Sequence, residues 1–476
     1  MSGGACDTMD SMCYVGLAIA VALIAGLAIF TGARPQSKRG EGISSPVVAG
    51  LIMGTLVGGS STVGTAQLAY NYGMSAWWFT LGGGIACLVL ALVYVKPLRR
   101  KNCPTLTGMI RREYGAAAGA AASVLNATGT FINILSQLLS ASAVVLVVWP
   151  NLGTAWTILL SAAFMVLYVV FGGAKGAGLA GILKLALLYA AMVFCGILAL
   201  NLAGGVSGLK AAADGFSAAL GRNFSSLFCR GVGVDLGACV SLLLGVLTTQ
   251  TYAQAVISAK TEGHARAGAL ISAFLIPPIG VFGIIVGLYM RTVTDPAVFS
   301  AKAALTGFIL EHSGMPALLA GIVLGALFIA SVGTGAGLAL GVATIIDREM
   351  IHRGGRELKL SSGTVSKLLI VLVLGAASFL SVVVPSDTIL NFAFMSMGLR
   401  GCTVFAPLCF LLWAKGRVGG RDAVVSIVGG SVVALVLGVM DLLEIISLPC
   451  DPVFPGVAVG LIVMLAGFFR KKNTLA

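Results

Sequence analysis

The sequence predicts an all-α polytopic membrane protein, and composition, apolar runs and the distribution of charges all indicate this fold class. Of its 476 residues, 58% are hydrophobic and only 10% are charged, with a mean hydropathy of +1.02. These values lie far outside the range of soluble globular chains. A soluble globular domain is therefore excluded as the main architecture.

About thirteen apolar segments have the length of a membrane-spanning helix, which takes about 20 residues. They lie near 13–32, 47–70, 76–95, 116–147, 154–171, 177–203, 235–258, 267–290, 315–346, 366–384, 388–413, 423–443 and 452–469. The residues before the first segment include Asp7 and Asp10 but no Lys or Arg. This pattern indicates a retained helix rather than a secretory signal.

The basic residues concentrate on alternate connections between the segments. One side carries 23 Lys and Arg, the other carries five, and the remaining two, Lys184 and Arg400, lie inside predicted spans. Because cytoplasmic loops are enriched in basic residues, we predict a protein of the plasma (cell inner) membrane with its N-terminus outside and its C-terminus in the cytoplasm. The net charge of +13 is then mainly a topological signal. Neither nucleic acid nor an obligate protein partner is indicated, which leaves membrane lipid and a small-molecule solute.

The chain divides into two five-helix halves within a single predicted membrane domain, 1–476. An initial helix and loop (1–46) precede the first half (47–203), and accessory helices with a cytoplasmic tail (423–476) follow the second half (235–414). Because each half has five helices, the second half starts from the opposite side of the membrane. This arrangement predicts an inverted repeat, as in a large class of secondary transporters.

Both halves are predicted to begin with a broken helix. Residues 54–64, inside core helix 1, contain four glycines and the consecutive hydroxyl residues Ser60, Ser61 and Thr62. Such residues weaken a helix, and a break at membrane depth is tolerated only inside protein or beside a cavity. Core helix 6 carries Gly245 in mid-span, followed by a polar cluster.

Polar residues at the breaks and on core helix 3 are the candidate solute-binding residues. Arg400 lies near the centre of its span with no acid beside it in sequence. A solute carboxylate or phosphate would match its forked donors. The alternative is that Arg400 binds carbonyls freed at a broken stretch of core helix 10. The predicted solute-binding residues are Ser60, Ser61, Thr62, Asn133, Gln137, Gly245 and Arg400.

Four stretches resemble the sodium:solute symporter family, whose members have the LeuT-like five-plus-five inverted-repeat fold. They are 66–73 (AQLAYNYG) at the end of core helix 1, 171–175 (FGGAK) before core helix 5, 254–260 (QAVISAK) in core helix 6 and 327–334 (LFIASVGT) in core helix 8. Their order and spacing extend the resemblance over about 47–420. It implies secondary active transport of a small polar organic solute by alternating access and cation coupling. It does not imply an enzyme or a cofactor.

The resemblance also implies a sodium site between core helices 1 and 8. Its positions in this chain are Gly54, Val57, Ala330 and Thr334. Two oxygen ligands typical of the family are missing, because Gly333 stands in place of a serine and Gly181 in place of an aspartate. Lys184 follows Gly181 by three residues, on a similar helix face.

These departures lead to the hypothesis that Lys184 is the coupling group and occupies or abuts the vacated cation site. A lysine inside a span costs about 3 kcal/mol on insertion scales, which favours a role for it. Burial disfavours its charged form, so it could gain and lose a proton during transport. Proton-coupled or sodium-independent transport would follow. Two alternatives stay open: Lys184 extends toward the cytoplasmic end while Na⁺ still binds, or the fold serves as a solute sensor.

Overall fold

The computed structural model describes residues 11–32, 42–101, 103, 105–172, 177–347, 362–384, 388–414 and 416–475, and the named elements in this part of the chain are all helices. Two features named above, the acidic residues Asp7 and Asp10 and positions 173–175 of the FGGAK stretch, lie outside the described residues. The helices are α1 (Ser11–Gly32), α2 (Ser45–Leu56), α3 (Thr65–Tyr72), α4 (Trp78–Val89), α5 (Val95–Arg100), α6 (Leu106–Tyr114), α7 (Ala116–Val148), α8 (Thr154–Gly172), α9 (Ala177–Leu202), α10 (Gly205–Leu220), α11 (Val232–Thr248), α12 (Gln250–Ile257), α13 (Glu262–Val293), α14 (Ala304–Gly307), α15 (Ala317–Ile346), α16 (Ser362–Val383), α17 (Ile389–Trp413), α18 (Gly420–Leu442) and α19 (Val453–Leu475).

Nine helices within the described ranges are long and apolar enough to cross a membrane, or ten if the bent pair α11 and α12 forms one span. The multi-pass fold class is thus confirmed, whereas the count of thirteen is not. Two helices outside that count, α1 (Ser11–Gly32) and α8 (Thr154–Gly172), coincide closely with the spans predicted at 13–32 and 154–171. Ser60–Arg100 is one apolar helical stretch of 41 residues. The sequence predicts two spans in this region, of which 47–70 ends within the stretch and 76–95 lies wholly inside it.

That long stretch has room for two crossings. At 1.5 Å per residue, 41 residues would extend about 60 Å, roughly twice the thickness of a bilayer core. The helix is interrupted at Gly73, whose φ of +59° suits a residue without a side chain. Gly73 is therefore the point at which core helix 1 ends and core helix 2 begins.

Both halves begin with a broken helix, as predicted. In core helix 1, α2 ends at Leu56, Val57 is extended (φ −95°, ψ 106°), and a π-helical turn at Ser60–Gly64 leads into α3. In core helix 6, α11 and α12 meet at Thr249, which is also extended, and their axes differ by 48°. The second break thus lies after Gly245 rather than at it.

Close glycine contacts attach the first helix to the core. An added Cβ atom on Gly16 of α1 would lie 2.1 Å from the Leu318 carbonyl oxygen of α15. An added Cβ on Gly321 of α15 would lie 2.0 Å from the Cys13 carbonyl oxygen. Small residues allow such close backbone approach in membrane helices. The pairing joins α1 to α15, which corresponds to core helix 8.

The connection between the halves contains a helix that the sequence reasoning missed. Residues 204–234 have no periodic apolar core of their own in the sequence, yet α10 occupies Gly205–Leu220. Ala213 is its one buried residue, whereas Val206 and Leu220 are exposed. With so little burial, α10 resembles a surface helix more than a membrane span. Its sequence therefore lacks the apolar pattern of span length by which a span is predicted.

Candidate functional site

The break in core helix 1 is held from α7, which is core helix 3. The Gly59 amide donates to Gln137 Oε1 at 3.1 Å, and Gln137 Nε2 donates to Ser60 Oγ at 2.8 Å. An added Cβ on Gly59 would lie 2.2 Å from Ser140 Cβ and 2.4 Å from Ser331 Oγ. Only glycine therefore allows α7 and α15 to approach the break this closely.

The other hydroxyl groups at this break bind the backbone around them. Ser61 Oγ donates to the Gly58 carbonyl at 2.9 Å and accepts from the Gly58 amide at 3.0 Å. Thr62 Oγ1 donates to the same carbonyl at 3.0 Å, and Ser60 Oγ lies 2.7 Å from Ser136 Oγ. The backbone groups freed by the break are satisfied inside the protein, as membrane depth requires.

The Lys184 ammonium lies among the predicted sodium ligands. Its Nζ donates to the Gly54 carbonyl at 3.0 Å and to Thr334 Oγ1 at 2.9 Å. Thr334 Oγ1 in turn donates to the Ala330 carbonyl at 2.9 Å. The side chain of Lys184 is only 5% exposed. Two of the four predicted ligand positions thus bind the ammonium group directly, and Ala330 is joined to it through Thr334. The fourth, Val57, is buried at the end of α2.

Sodium does not fit this arrangement while the ammonium is present. Na⁺ would need the same Gly54 and Thr334 oxygens that Lys184 binds, and two positive charges in one buried site repel each other. The Gly333 position adds no oxygen, although space exists there. An added Cβ would lie 3.5 Å from Tyr168 and 3.7 Å from Lys184 Cδ, which are ordinary contacts.

The break in core helix 6 is also held from α7. Asn126 Nδ2 donates to the Thr248 carbonyl at 3.2 Å, on the last residue of α11. Arg400 Nη1 donates to Thr249 Oγ1 at 2.9 Å, at the break itself. Gly245 lies one turn earlier and packs on α17, where an added Cβ would be 2.6 Å from Met397 Cβ. The two breaks therefore contact the same helix, α7, through one amide side chain each.

Arg400 is buried without an acidic partner among the described residues. It is 1% exposed, and its Nε and Nη2 donate to the Ser396 carbonyl and hydroxyl at 3.1 and 2.8 Å. Ser396 Oγ donates to the Gly129 carbonyl of α7. One alternative required Arg400 to bind carbonyls freed at a break in core helix 10. No such break exists, because α17 is continuous from Ile389 to Trp413. All its partners are neutral, so the guanidinium charge is not balanced in this part of the protein.

Asn133 lies on α7 between the two amides that hold the breaks. It is 5% exposed, and its side chain has no hydrogen-bond partner within the described ranges. At helical spacing, Asn126, Asn133 and Gln137 share one face of α7. Asn133 is therefore a buried amide on the stripe that faces both breaks, with its hydrogen-bonding capacity unused.

A second polar cluster, which the sequence reasoning missed, lies at the predicted outer end. Asp235 is fully buried and accepts from Arg230 Nε at 2.8 Å and from Ser75 Oγ at 2.6 Å. It sits beside a cavity of about 440 Å³ between α11, α17 and α18. Asp451, in the connection before α19, lines that cavity, and burial raises the pKa of its carboxyl group. Ser75 and Asp451 are far from Asp235 in sequence, so no local motif marks the whole cluster.

Two broken helices at the start of two five-helix halves, with a cation position beside the first, define a LeuT-like inverted-repeat protein. The model of the sodium:solute symporter family matches residues 39–430. The chain belongs to this family.

Curated relatives share short regions with the chain. The uncharacterized symporter YwcA of Bacillus subtilis is 28% identical over 151 residues, which cover 31% of this chain and 29% of that protein. High-affinity choline transporter 1 of Caenorhabditis elegans is 24% identical over 263 residues, which cover 52% and 44%. The matched part of the chain thus spans less than half the length of each relative.

Solved structures share the fold over nearly the whole chain. A substrate-bound, outward-open Na⁺-coupled sialic acid symporter has a TM-score of 0.75 at 17% identity, and the match covers 98% of both chains. The inward-facing form of Mhp1 has a TM-score of 0.55 at 14% identity, covering 93% of this chain and 95% of that one. MhsT in complex with L-phenylalanine has a TM-score of 0.55 at 15% identity, covering 90% and 100%. At such identities the likeness concerns the fold alone.

Proposed function

We propose that the protein is a secondary active transporter that moves a small anionic or zwitterionic organic solute, such as an amino acid or carboxylate, by alternating access. Membership of the sodium:solute symporter family supports the transport activity. The observation that carries the solute class is the buried Arg400 guanidinium, whose partners in the described residues are all neutral. An acidic group on the solute would balance this charge with forked hydrogen bonds.

The proposed solute site lies between the two helix breaks, on the polar face of α7. Asn133 supplies a buried amide with free donors and acceptors, and Arg400 contacts the break in core helix 6 through Thr249. We assign Ser60, at the other break, a role in orienting Gln137 toward the site. A carboxylate bound here would replace one of the neutral partners of Arg400.

Coupling through Lys184 is the second part of the proposal. The ammonium binds Gly54 in the first half and Thr334 in the second half, so it links the two halves where a cation would. Loss of its proton would weaken both hydrogen bonds, since charge-assisted bonds are roughly twice as strong as neutral ones. The balance between outward-open and inward-open states would then follow protonation, provided that the two states hold the proton with different affinity.

The function is tested by uptake into proteoliposomes that contain the purified full-length protein. Radiolabelled amino acids, monocarboxylates and dicarboxylates are offered under a sodium gradient, under a proton gradient, and without a gradient. We expect accumulation of at least one acidic or zwitterionic solute under the proton gradient, with no added effect of sodium.

Other outcomes separate the parts of the proposal. Accumulation that requires sodium would refute the role of Lys184 but leave transport intact. Solute binding detected by calorimetry without flux under any gradient would favour a solute sensor. Uptake limited to cationic or uncharged solutes would refute the role of Arg400.

A further inference from the structure

A basic groove lies at the predicted cytoplasmic end of the bundle, far from the helix breaks. It has a volume of about 480 Å³ and runs between α5, the start of α13 and the end of α17. Four basic residues line it: Lys96, Arg100, Lys101 and Arg266. The proposed transport mechanism makes no use of them.

Two of these charges have no partner in the part of the chain that the structure describes. Neither Lys96 nor Arg100 makes a hydrogen bond or ion pair within the described ranges, and both are exposed. Lys101 Nζ donates to the Leu411 carbonyl at 2.6 Å. Arg266 pairs with Glu262 at 3.1 Å, and this is an exposed pair. Lys96 and Arg100 thus place two positive charges in the groove without a counter-charge among the described residues.

The groove opens onto an apolar surface on one side. Leu92 and Val93, about one turn before Lys96, are 60% and 47% exposed. Trp413 is 54% exposed and packs edge-on against Tyr94 at 5.3 Å between ring centroids. An exposed tryptophan beside basic residues is typical of the level of lipid headgroups.

We infer that this groove binds the phosphate headgroup of an anionic phospholipid, with an acyl chain along Leu92 and Val93. Basic pockets between transmembrane helices bind acidic headgroups in this way. The lipid would contact α5 of the first half together with α13 and α17 of the second half. A soluble phosphate would match the charges but would leave the exposed apolar residues uncovered.

The inference is tested by native mass spectrometry of the full-length protein with phosphatidylglycerol or phosphatidylcholine. The test variant is Lys96→Gln with Arg100→Gln. Its matched control is Lys367→Gln with Arg421→Gln, which removes two exposed basic residues outside the groove. We expect wild type and control to retain phosphatidylglycerol in preference to phosphatidylcholine. The test variant should bind phosphatidylglycerol roughly 30-fold more weakly, since each basic residue near an acidic surface contributes about fivefold in affinity.

Two further measurements complete the test. Arg100→Lys keeps the charge, so it should retain the lipid, and thermal unfolding without lipid should show that all variants are folded. Equal retention of both lipids by wild type, or equal loss in test variant and control, would refute the inference. Protection from unfolding by glycerol phosphate to the same extent as by phosphatidylglycerol would assign the groove to free phosphate instead.

Discussion

Replacing Lys184 should convert the cation position into one that responds to sodium. In Lys184→Ala, the Gly54 carbonyl and Thr334 Oγ1 lose the donor that lies 3.0 and 2.9 Å away. Gly333→Ser in the same chain adds a hydroxyl of the kind that the family resemblance implies. The added Cβ meets its nearest neighbours only at 3.5 Å, so the substitution should be accommodated.

The expected magnitudes are large enough to measure. A buried acceptor without its partner costs about 1–3 kcal/mol, so two such oxygens cost about 2–6 kcal/mol. Lys184→Ala also removes the desolvation penalty of a buried ammonium group, which offsets part of this loss of stability. Sodium at a concentration 100 times its Kd returns about 2.7 kcal/mol. The double variant should therefore unfold at a lower temperature than wild type in potassium buffer and recover by several degrees in sodium buffer.

The assay is thermal unfolding in sodium and in potassium chloride at equal ionic strength. Wild type and the Gly333→Ser control, which keep the ammonium, should show no difference between the two salts. A sodium shift in wild type would refute the reasoning, because Na⁺ would then bind despite Lys184. An unchanged melting temperature in Lys184→Ala would also contradict it, since the two hydrogen bonds would contribute nothing.

Three further predictions concern other parts of the molecule. Arg400→Lys should weaken binding of a transported carboxylate at least about 10-fold, because lysine lacks the forked donor geometry, and unchanged affinity by calorimetry would make Arg400 a structural residue. Gly59→Ala should destabilise the protein by more than about 3 kcal/mol, because the added methyl group would overlap α7 and α15. Gly54→Ala is the control in the same unfolding assay and should be tolerated, because its added Cβ meets nothing within 4 Å. Asp235→Asn should lower the free energy of unfolding by about 3–5 kcal/mol, because it leaves Arg230 unpaired. Asp422→Asn removes an exposed ion pair and should change stability by less than about 1 kcal/mol. Similar losses of stability in both variants would contradict the argument from burial.

The sequence predicts features that depend on local chemistry. Glycines and hydroxyl residues at 54–64 identify the first break because they lower helix propensity where lipid offers no replacement bonds. Lys184 stands out because a charge inside an apolar span is costly wherever it points. The family's spacing then brings Gly54 and Thr334 to the same place, although their distances from Lys184 require coordinates.

Features that depend on tertiary contacts were missed. The second break lies at Thr249 because Asn126 and Arg400 bind there, and neither residue is near it in sequence. The cluster around Asp235 joins three separate segments through side chains that individually resemble loop residues.

The geometry of α7 limits the length of molecule that can contact both helix breaks. Asn126 and Gln137 bind opposite breaks and are separated by about 16 Å along the helix axis, at 1.5 Å per residue. Asn133 lies about 6 Å from Gln137 and about 10 Å from Asn126 along the same axis. An amino acid or short carboxylate at Asn133 can reach one break directly but is too short to span both. Molecular length would then restrict which solutes the protein accepts, independently of their charge.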